Sequence, residues 1–593
     1  MNFRWSLAAP QPLLANQLIT RLKVSPLTAQ CLLNRGLGDP DTAAQFLEPR
    51  LKSLADPFAI PNLRAAVQRL LTARDRNEPL VIFGDYDVDG VCSAAILVET
   101  LTALGWSASA YLPHRFDEGY GLTREGVENC LQKHPASLLL AVDCGSTAVE
   151  TITDLRARGI DVIVLDHHQI SQPPPPALAL VNPQVAANVG NASEDHQNAI
   201  PAEARGAEKA RVPFSELCSA GLAFKLAHAL VKTDRQAGRA AAQSFDIREL
   251  LDLVALATIA DLVPLIGENR ILVQAGLRRL AETTRPGLIA LKEVAGITGA
   301  TLGSFDISHG LAPRLNAAGR LETAAEALNL VTAATRDAAM PIAQSLDARN
   351  RERQDIERHM ADQVIASLRQ RFDPARDFAI VEGEMLWHIG VVGIVASRVQ
   401  REFYRPTIIL GGDGHLWRGS GRSIEGLDLA AGLRACSDLL ERHGGHAMAA
   451  GLSITPQRVN EFRARLNQLV QESLSEEQLR PALRLDAEVT PAELHLDLME
   501  ELARLQPVGQ GNPPVQVVVR GLRLDRPPRL MGREQQHAKL SARAGGVTLE
   551  IVWWRCEMDR MPKGAFDLAC VPEINEFNGR RTLQLRLLDW RPA

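Results

Sequence analysis

Gly84-Asp85-Tyr86-Asp87-Val88-Asp89-Gly90 places three carboxylates within five residues, with glycine on both sides. Like charges this close repel and lose hydration together, so something cationic must compensate them. Asp143-Cys144-Gly145 and Asp166-His167-His168 add further carboxylates and two imidazoles. Asp261 follows the apolar run from Leu253 and, placed there, also needs a partner. Oxygen and nitrogen donors without thiolate suit two divalent cations, Mn2+ or Mg2+, with imidazole tilting the choice toward Mn2+. A pair of such ions brings the pKa of water near neutrality and clamps both oxygens of an in-line phosphoryl displacement. An EF-hand calcium loop is excluded, because its twelfth position, counted from Asp85, is Ile96 rather than Glu. A lone Asp after a strand is usually a helix cap, and a His-His pair usually surface or core. The joint occurrence of all three strings carries the metal reading.

Each string directly follows a short apolar run: Leu80–Phe83, Leu138–Val142 and Val162–Leu165. Such runs read as buried parallel strands, and a small-residue helix over Val91–Leu104 fits between the first two. In an open parallel sheet, ligands gather at the carboxyl ends of the strands, so three strands deliver these side chains to one edge. Strand–helix alternation runs to about residue 335. The first sixty residues read as short helices, one capped at Asp39. A charged helical pattern covers about 341–372. A second α/β segment runs to about 458, and strands at Val515–Leu524, Val547–Trp554 and Thr582–Leu588 suggest a small β-barrel. The expected domains are 1–340, 341–372, 373–458 and 459–593. Residues 184–212 lack any sustained period and read as a surface loop, with a partner-binding arm as the functional alternative.

Composition sets the bounds. The 593 residues are 46% hydrophobic, 23% charged and 4% aromatic, ordinary globular values with aliphatic cores. A net charge of −5 excludes a uniformly basic nucleic-acid coat but not a local basic groove. No apolar run reaches the ~20 residues that span a bilayer, so no membrane association is expected. The N-terminus reads as mature protein. The eight cysteines form no C-x-x-C pair, which fits a reducing, cytoplasmic setting.

Other residues suit a phosphate-bearing substrate. Arg115 and Arg314 lie in Gly- or Pro-bearing loops, where guanidinium can take phosphate bidentately; a surface ion pair is the alternative. His309 and Asn316 flank Arg314 and could reach the same phosphate. Gly444-Gly445-His446 reads as a glycine turn opening a helix, whose free N–H groups favour an anion. Arg418-Gly-Ser-Gly-Arg422-Ser423 reads as a basic glycine-rich loop, or as a plain hairpin turn. Trp553-Trp554 could stack a base, with at least one of the two in the core.

The strings Asp85-Tyr-Asp-Val-Asp-Gly, Val142-Asp-Cys-Gly and Asp166-His-His resemble motifs of the DHH phosphoesterase superfamily. Tyr111–Leu122, Ala257–Leu265 and Leu311–Leu321 resemble the RecJ single-stranded-DNA exonucleases within it. His388–Arg398 and Gly444–Gly451 resemble the accessory DHHA1 domain, and Asn575–Leu585 the RecJ oligonucleotide-binding (OB) domain. The resemblance covers nearly the whole chain and is carried by the order and spacing of the motifs. It implies an α/β fold: a parallel-sheet DHH domain and a smaller α/β DHHA1 domain joined by a long helix, plus a C-terminal OB-like β-barrel. It implies 5′-to-3′ hydrolysis of single-stranded DNA to mononucleotides, in repair and recombination. The two α/β domains would enclose a groove too narrow for duplex. Asp87, Asp89, Asp143, His167 and Asp261 would hold the metals, with Asp143 bridging and Asp85 either a ligand or an orienting group. His168 would face the scissile phosphate, with Asp166 orienting the imidazoles. Arg314 would share the charge stabilisation, while Arg115, His309, Asn316, Arg418, Arg422, Ser423, Gly445 and His446 would bind substrate. A RecQ-type helicase and a single-strand-binding protein are the implied partners. Segment 184–212 departs from the family pattern as an expected extruded insertion. Two rivals stay open: a DHH enzyme acting on pyrophosphate, cyclic dinucleotides or short RNA, and a non-enzymatic relative serving as a scaffold.

Overall fold

The computed structural model describes residues 3–115, 117–185, 214–321, 323–412, 414–577 and 579–593. The insertion expected at 184–212 therefore lies, from residue 186 onward, outside the described residues. The chain divides into two compact units. One comprises Gln11–Asn350 with Asp497–Pro514, the other Met1–Pro10, Arg351–Leu496 and Val515–Ala593. No helix of the described residues is long and apolar enough to cross a membrane.

The first sixty residues are not all helical. β1 (Arg4–Leu7) pairs in parallel with a strand near the other end of the chain, Ala482–Leu485. Trp5 packs against a cluster of Leu483, Leu485, Val518 and Ala569, and its indole N–H donates to Asp589 at 2.8 Å. Four residues carry too little period to announce a strand whose partner is so remote. The helices that follow, Pro12–Leu22, Pro26–Asn34 and Pro40–Leu47, each start on proline, which suits a first turn with no N–H to satisfy. Asp39 caps the third by accepting from the Thr42 amide.

The Gln11–Asn350 unit is built on a parallel sheet of β2 (Leu80–Gly84), β3 (Ala108–Tyr111), β4 (Leu138–Val142), β5 (Asp161–Leu165) and β6 (Ala179–Val181), in the order β3-β2-β4-β5-β6. Alternate residues of β2, β4 and β5 enter separate cores on the two faces. Ile82, Leu140 and Ile163 face one, while Val81, Leu139 and Val162 face the other. Burial on both sides is why these strands read as continuous apolar runs. Helices α1 (Val88–Ala103), α2 (Ser219–Gln236) and α3 (Leu251–Ala260) share the Ile82 core. The chain leaves β2 toward β3 and returns to the opposite side for β4. The order thus reverses between β2 and β4, where such folds bind ligands.

Helix α4 (Arg336–Arg371) starts five residues before the charged pattern suggests and contains Pro341. In the other unit, β7 (Ile380–Met385), β8 (Thr407–Gly412), β9 (Trp417–Arg422), β10 (Arg442–Gly445) and β11 (Ala449–Ile454) form a mixed sheet in the order β10-β11-β9-β8-β7. Two expectations are corrected here. Arg418–Arg422 is neither a loop nor a turn but an interior strand. Its glycines serve close packing: a Cβ on Gly419 would lie 2.4 Å from Leu410, and one on Gly421 2.6 Å from Leu429. Gly444-Gly445-His446 opens no helix. It ends β10 in a hairpin to β11, with Gly445 at φ +133° and the His446 amide donating to Ala449.

After β12 (Ala482–Leu485) and β13 (Ala487–Glu488) come β14 (Val517–Leu524), β15 (Arg529–Met531), β16 (His537–Ala544), β17 (Val547–Trp553), β18 (Ala565–Phe577) and β19 (Arg580–Pro592). The pairings β14–β18–β19–β17–β16 close through β16 back onto β14, which makes a five-stranded barrel of the OB type. Removing residues 1–10 is expected to speed amide exchange in β12 and β19 and to leave α2 unchanged. Exchange–mass spectrometry of the truncated chain reads this, and equal loosening of α2 would refute it.

Candidate metal centre

Strand register decides what meets what. Gly84 pairs with Val142, and Val142 with Leu165, so Asp85, Asp143 and Asp166 all leave the sheet at the same level. The turn after β2 tightens at once into α1. Asp87 caps that helix, accepting from the amides of Asp89 (2.9 Å) and Gly90 (3.2 Å). A Cβ at Gly90 would lie 2.3 Å from the Asp85 carbonyl oxygen, so only glycine lets the helix start this close to the strand end. Asp143 holds φ at +62°, uncommon for a residue with a side chain and a form of local strain that gathers at functional sites.

The side chains converge in three overlapping groups whose donor atoms lie within 4.8 Å of one another: Asp85, Asp87 and Asp143; Asp89, His167 and Asp261; and Asp143, His167 and His168. Asp143 and His167 each belong to two groups. The His167 Nε2 atom lies 3.5 Å from Asp143 Oδ1, 3.5 Å from Asp261 Oδ2 and 3.9 Å from Asp89 Oδ2. The buried atoms Asp85 Oδ1, His167 Nε2 and Asp261 Oδ2 have no hydrogen-bond partner. Buried polar atoms are rarely left so. Hard oxygen donors and one imidazole, all aimed into one pocket, fit a divalent cation of the Mn2+ or Mg2+ kind.

Electrostatics agree. Burial, reinforced by the Asp87 charge, pushes the Asp85 carboxyl up to about 8. Burial and the charges of Asp89 and Asp87 push Asp261 up to about 9. Asp261 also caps the C-terminus of α3, the negative end of the helix dipole, an unfavourable place for a carboxylate without a cation. Burial raises Asp89 as well, and raises Asp143 far above the carboxylate range, with Asp89, Asp87, Asp85 and Asp261 all adding to it. His167 is pushed down by burial, which favours the neutral form that ligates metals.

His168 behaves differently. Burial opposes its charge, but the hydrogen bond and charge of Asp166 prevail and hold the imidazole at about 9. Asp166 Oδ1 accepts from His168 Nδ1 at 2.7 Å and from the His167 and His168 amides. Burial works against the Asp166 charge, yet these bonds, led by His168, keep its carboxyl well below the usual range.

Several residues around the pocket escaped the sequence reading. Ser219 Oγ donates to Asp143 at 3.0 Å, and the Ser219 and Ala220 amides, at the start of α2, donate to Asp89. Asn182 bonds the His168 carbonyl, Gln184 the His167 carbonyl, and the Ser146 amide donates to Asp166. The Tyr120 hydroxyl lies 3.4 Å from His168 Nε2, with its ring edge-on to Tyr86. The only advance signal is that most of these follow a strand or start a helix.

The expected substrate residues are divided between the units. Arg115 lies over the Tyr86 ring at 5.1 Å, near enough to Asp85 to favour its charge. Asn316 accepts from the Val88 amide at 3.1 Å, inside the acidic turn. His309 stacks on the exposed Phe305 ring, on a π-helical turn over Asp306–Leu311. Arg314 lies not in a loop but on the helix Ala312–Leu321, anchored by Asp347 at 2.9 Å and by the Gly310 carbonyl. Arg418, Arg422, Ser423, Gly445 and His446 lie on the sheet of the other unit. Arg418, Gly445 and His446 are exposed there. Arg422 is half-buried and bonds Ser420 Oγ, and Ser423 is buried with its hydroxyl given to the Leu427 carbonyl. Trp554 is exposed and edge-on to His537, while Trp553 is half-buried.

Known proteins resemble this chain along nearly all its length. Family models match residues 79–258 (DHH family, N-terminal domain), 377–472 (DHHA1 domain) and 485–589 (RecJ OB domain). The protein named single-stranded-DNA-specific exonuclease RecJ from Dickeya dadantii is 36% identical, over 91% of this chain and 92% of its own. That from Escherichia coli is 33% identical over 95% of each. A crystal structure of RecJ from Thermus thermophilus, in complex with Mn2+, superimposes with a TM-score of 0.82 at 29% identity, covering all of this chain and 80% of that one. With identities above 30% over nine-tenths of both chains, and with all three domain signatures in order, this chain belongs to the RecJ family.

Proposed function

We propose that the chain is a metal-dependent exonuclease that hydrolyses single-stranded DNA from its 5′ end to mononucleotides, serving DNA repair and recombination in the cytoplasm. The observation that carries this is the pocket of five carboxylates and an imidazole, in which the buried Asp85 Oδ1, His167 Nε2 and Asp261 Oδ2 lack hydrogen-bond partners. The names of the relatives support the substrate, and the barrel of the OB type supports a second, sequence-tolerant grip on a strand. The direction of attack and the size of the product rest on the family resemblance, as do a RecQ-type helicase and a single-strand-binding protein as partners.

Two cations, Mn2+ or Mg2+, would be held by Asp85, Asp87 and Asp143 on one side and by Asp89, His167 and Asp261 on the other, with Asp143 shared. Once bound, they supply an activated water and neutralise phosphoryl oxygens. The chain's own residues do the rest. Asp89 is oriented by the α2 amides and Asp143 by Ser219, so both arrive with fixed geometry. His168, kept cationic by Asp166, faces the non-bridging oxygens of the scissile phosphate and stabilises charge gathering there. Arg314, braced by Asp347, shares that task. Arg115, His309 and Asn316 hold the neighbouring phosphates. In the other unit Arg418, Arg422, Gly445 and His446 track the DNA backbone, while Ser423 shapes the turn after β9. Trp554 offers a face for a base.

Digestion of end-labelled oligonucleotides tests the reading. Single-stranded DNA with Mn2+ or Mg2+ is expected to lose mononucleotides from the 5′ end. Chelator or the Asp143→Ala variant should cut turnover by about a thousandfold or more, the scale of losing one member of a catalytic unit, and duplex or a dinucleotide should turn over more slowly than the single strand. Full activity in Asp143→Ala, or faster turnover of the dinucleotide, would overturn it.

A pH dependence follows from the raised carboxyls. In the metal-free fold Asp85 and Asp261 hold protons up to about 8 and about 9, whereas in the unfolded chain they release them near ~4. The folded state therefore binds more protons, and stability must fall as pH rises through that window. Cations that replace those protons reverse the trend. With chelator, Tm is expected to drop between pH 6 and 9, and the Tm gain from Mn2+ to be larger at pH 8.5 than at pH 6. A gain independent of pH would contradict the assignment.

A further inference from the structure

Asp497–Pro514 belongs to the Gln11–Asn350 unit, although the chain on both sides of it belongs to the other. What holds this strap is unusual. Arg270 is among the largest fully buried side chains, at 1% exposure. Its guanidinium donates to five backbone carbonyls: Phe46 at 2.7 Å, Arg504 at 2.9 Å, Leu505 at 3.1 Å, Gln506 at 2.8 Å and Pro507 at 3.4 Å. The guanidinium also lies over the Phe46 ring at 3.8 Å, but burying a cation among dipoles and a ring face is costly, and burial pulls its pKa down to about 10. Asn512, fully buried, ties the strap to itself through the Leu505 and Pro507 carbonyls, and Arg35 donates to Asn512 Oδ1 and to the Pro513 carbonyl.

So fastened, the strap presents one carbonyl and two glycines to the loop that follows Asp261. The Gln510 carbonyl accepts from the Leu265 amide at 2.7 Å. A Cβ on Gly509 would lie 2.7 Å from Leu265 Cδ1, and one on Gly511 3.0 Å from Pro264. Within the loop Val263 and Leu265 also reach the hydrophobic core, whereas Leu262 is 68% exposed with φ at +60°, and Asp261 Oδ2 has no hydrogen-bond partner. The Asp261 carboxylate is thus placed by its flanks: α3 on one side, and on the other Val263–Leu265, held by the core, by the strap and by Asn269, which donates to the Pro264 carbonyl.

We propose that the strap Asp497–Pro514 sets the position of the Asp261 carboxylate, which makes Arg270 and Asn512 positioning residues for the metal centre. This rests on Asp261 being a metal ligand, as proposed above. A plain tether would stabilise the unit without altering how tightly it takes up metal.

Arg270→Met strips a donor from five carbonyls and threatens the fold, so milder changes in the full chain make the test. Arg35→Gln loosens the outer fastening, and Gly509→Val pushes on Leu265. Two quantities are read: amide exchange across residues 261–266 in the metal-free protein, and Mn2+ affinity by calorimetry with MnCl2. Both variants should keep the wild-type circular dichroism, exchange faster over 261–266, and bind at least one Mn2+ about tenfold more weakly, the size of effect that outer-layer partners have on metal sites. Faster exchange with unchanged Mn2+ affinity would overturn the proposal, leaving a tether only. Unchanged exchange would overturn it directly, whatever the metal does. A wild type that takes up no Mn2+ would instead refute the nuclease reading.

Discussion

Asp143 is surrounded by Asp85, Asp87, Asp89 and Asp261, and each of their charges makes it harder to ionise. In water such repulsion between carboxylates is screened. Here the groups are mostly buried, and two nearby cationic side chains, His168 and Arg115, are engaged with Asp166 and with the Tyr86 ring. The metal-free fold must either protonate these acids or take up cations. The remainder of the catalytic unit can be understood as what is needed to hold that unfavourable cluster together.

Much of that holding is done by backbone rather than by side chains. Three parallel strands in matched register bring three loops to one level, and glycine at position 90 lets α1 begin against the Asp85 carbonyl. Gly319 plays a similar part, since a Cβ there would meet the Tyr86 carbonyl at 2.7 Å. Helix ends complete the geometry. The α2 N-terminus supplies amides to Asp89, and the α3 C-terminus delivers Asp261 with the wrong polarity for an anion. A cation would offset the second. The two neighbouring histidines illustrate how environment separates roles: His167, among carboxylates yet without a hydrogen bond at Nε2, stays neutral, whereas His168, locked to Asp166, stays charged.

The convergence of the Asp85, Asp143 and Asp166 strings was legible in the sequence because each directly follows an apolar strand buried on both faces, so strand and direction announce one another; Asp261 instead follows a helix buried all round. Where that coupling fails, reading fails. Arg418–Arg422 looks like a loop because its glycines, chosen for close packing in a central strand, carry the same signature as a turn. β1 is four residues long and its partner is almost a chain length away. β16 alternates mainly small buried residues, Ala538, Leu540 and Ala542, which gives a weak period. Nothing local marks Asp497–Pro514 as part of the Gln11–Asn350 unit, because its fastening depends on Arg270 and Arg35, both more than two hundred residues earlier. Ser219 and Asn182 support the site through single hydrogen bonds that any serine or asparagine could make elsewhere.

The most direct measurement is a crystal structure grown with Mn2+, with anomalous difference maps at the manganese edge. The account predicts two manganese peaks in the pocket, one touching Asp85, Asp87 and Asp143, the other Asp89, His167 and Asp261, with Asp143 reaching both. Saturating Mn2+ with no anomalous peak among these residues, or with manganese bound only elsewhere on the chain, would contradict it.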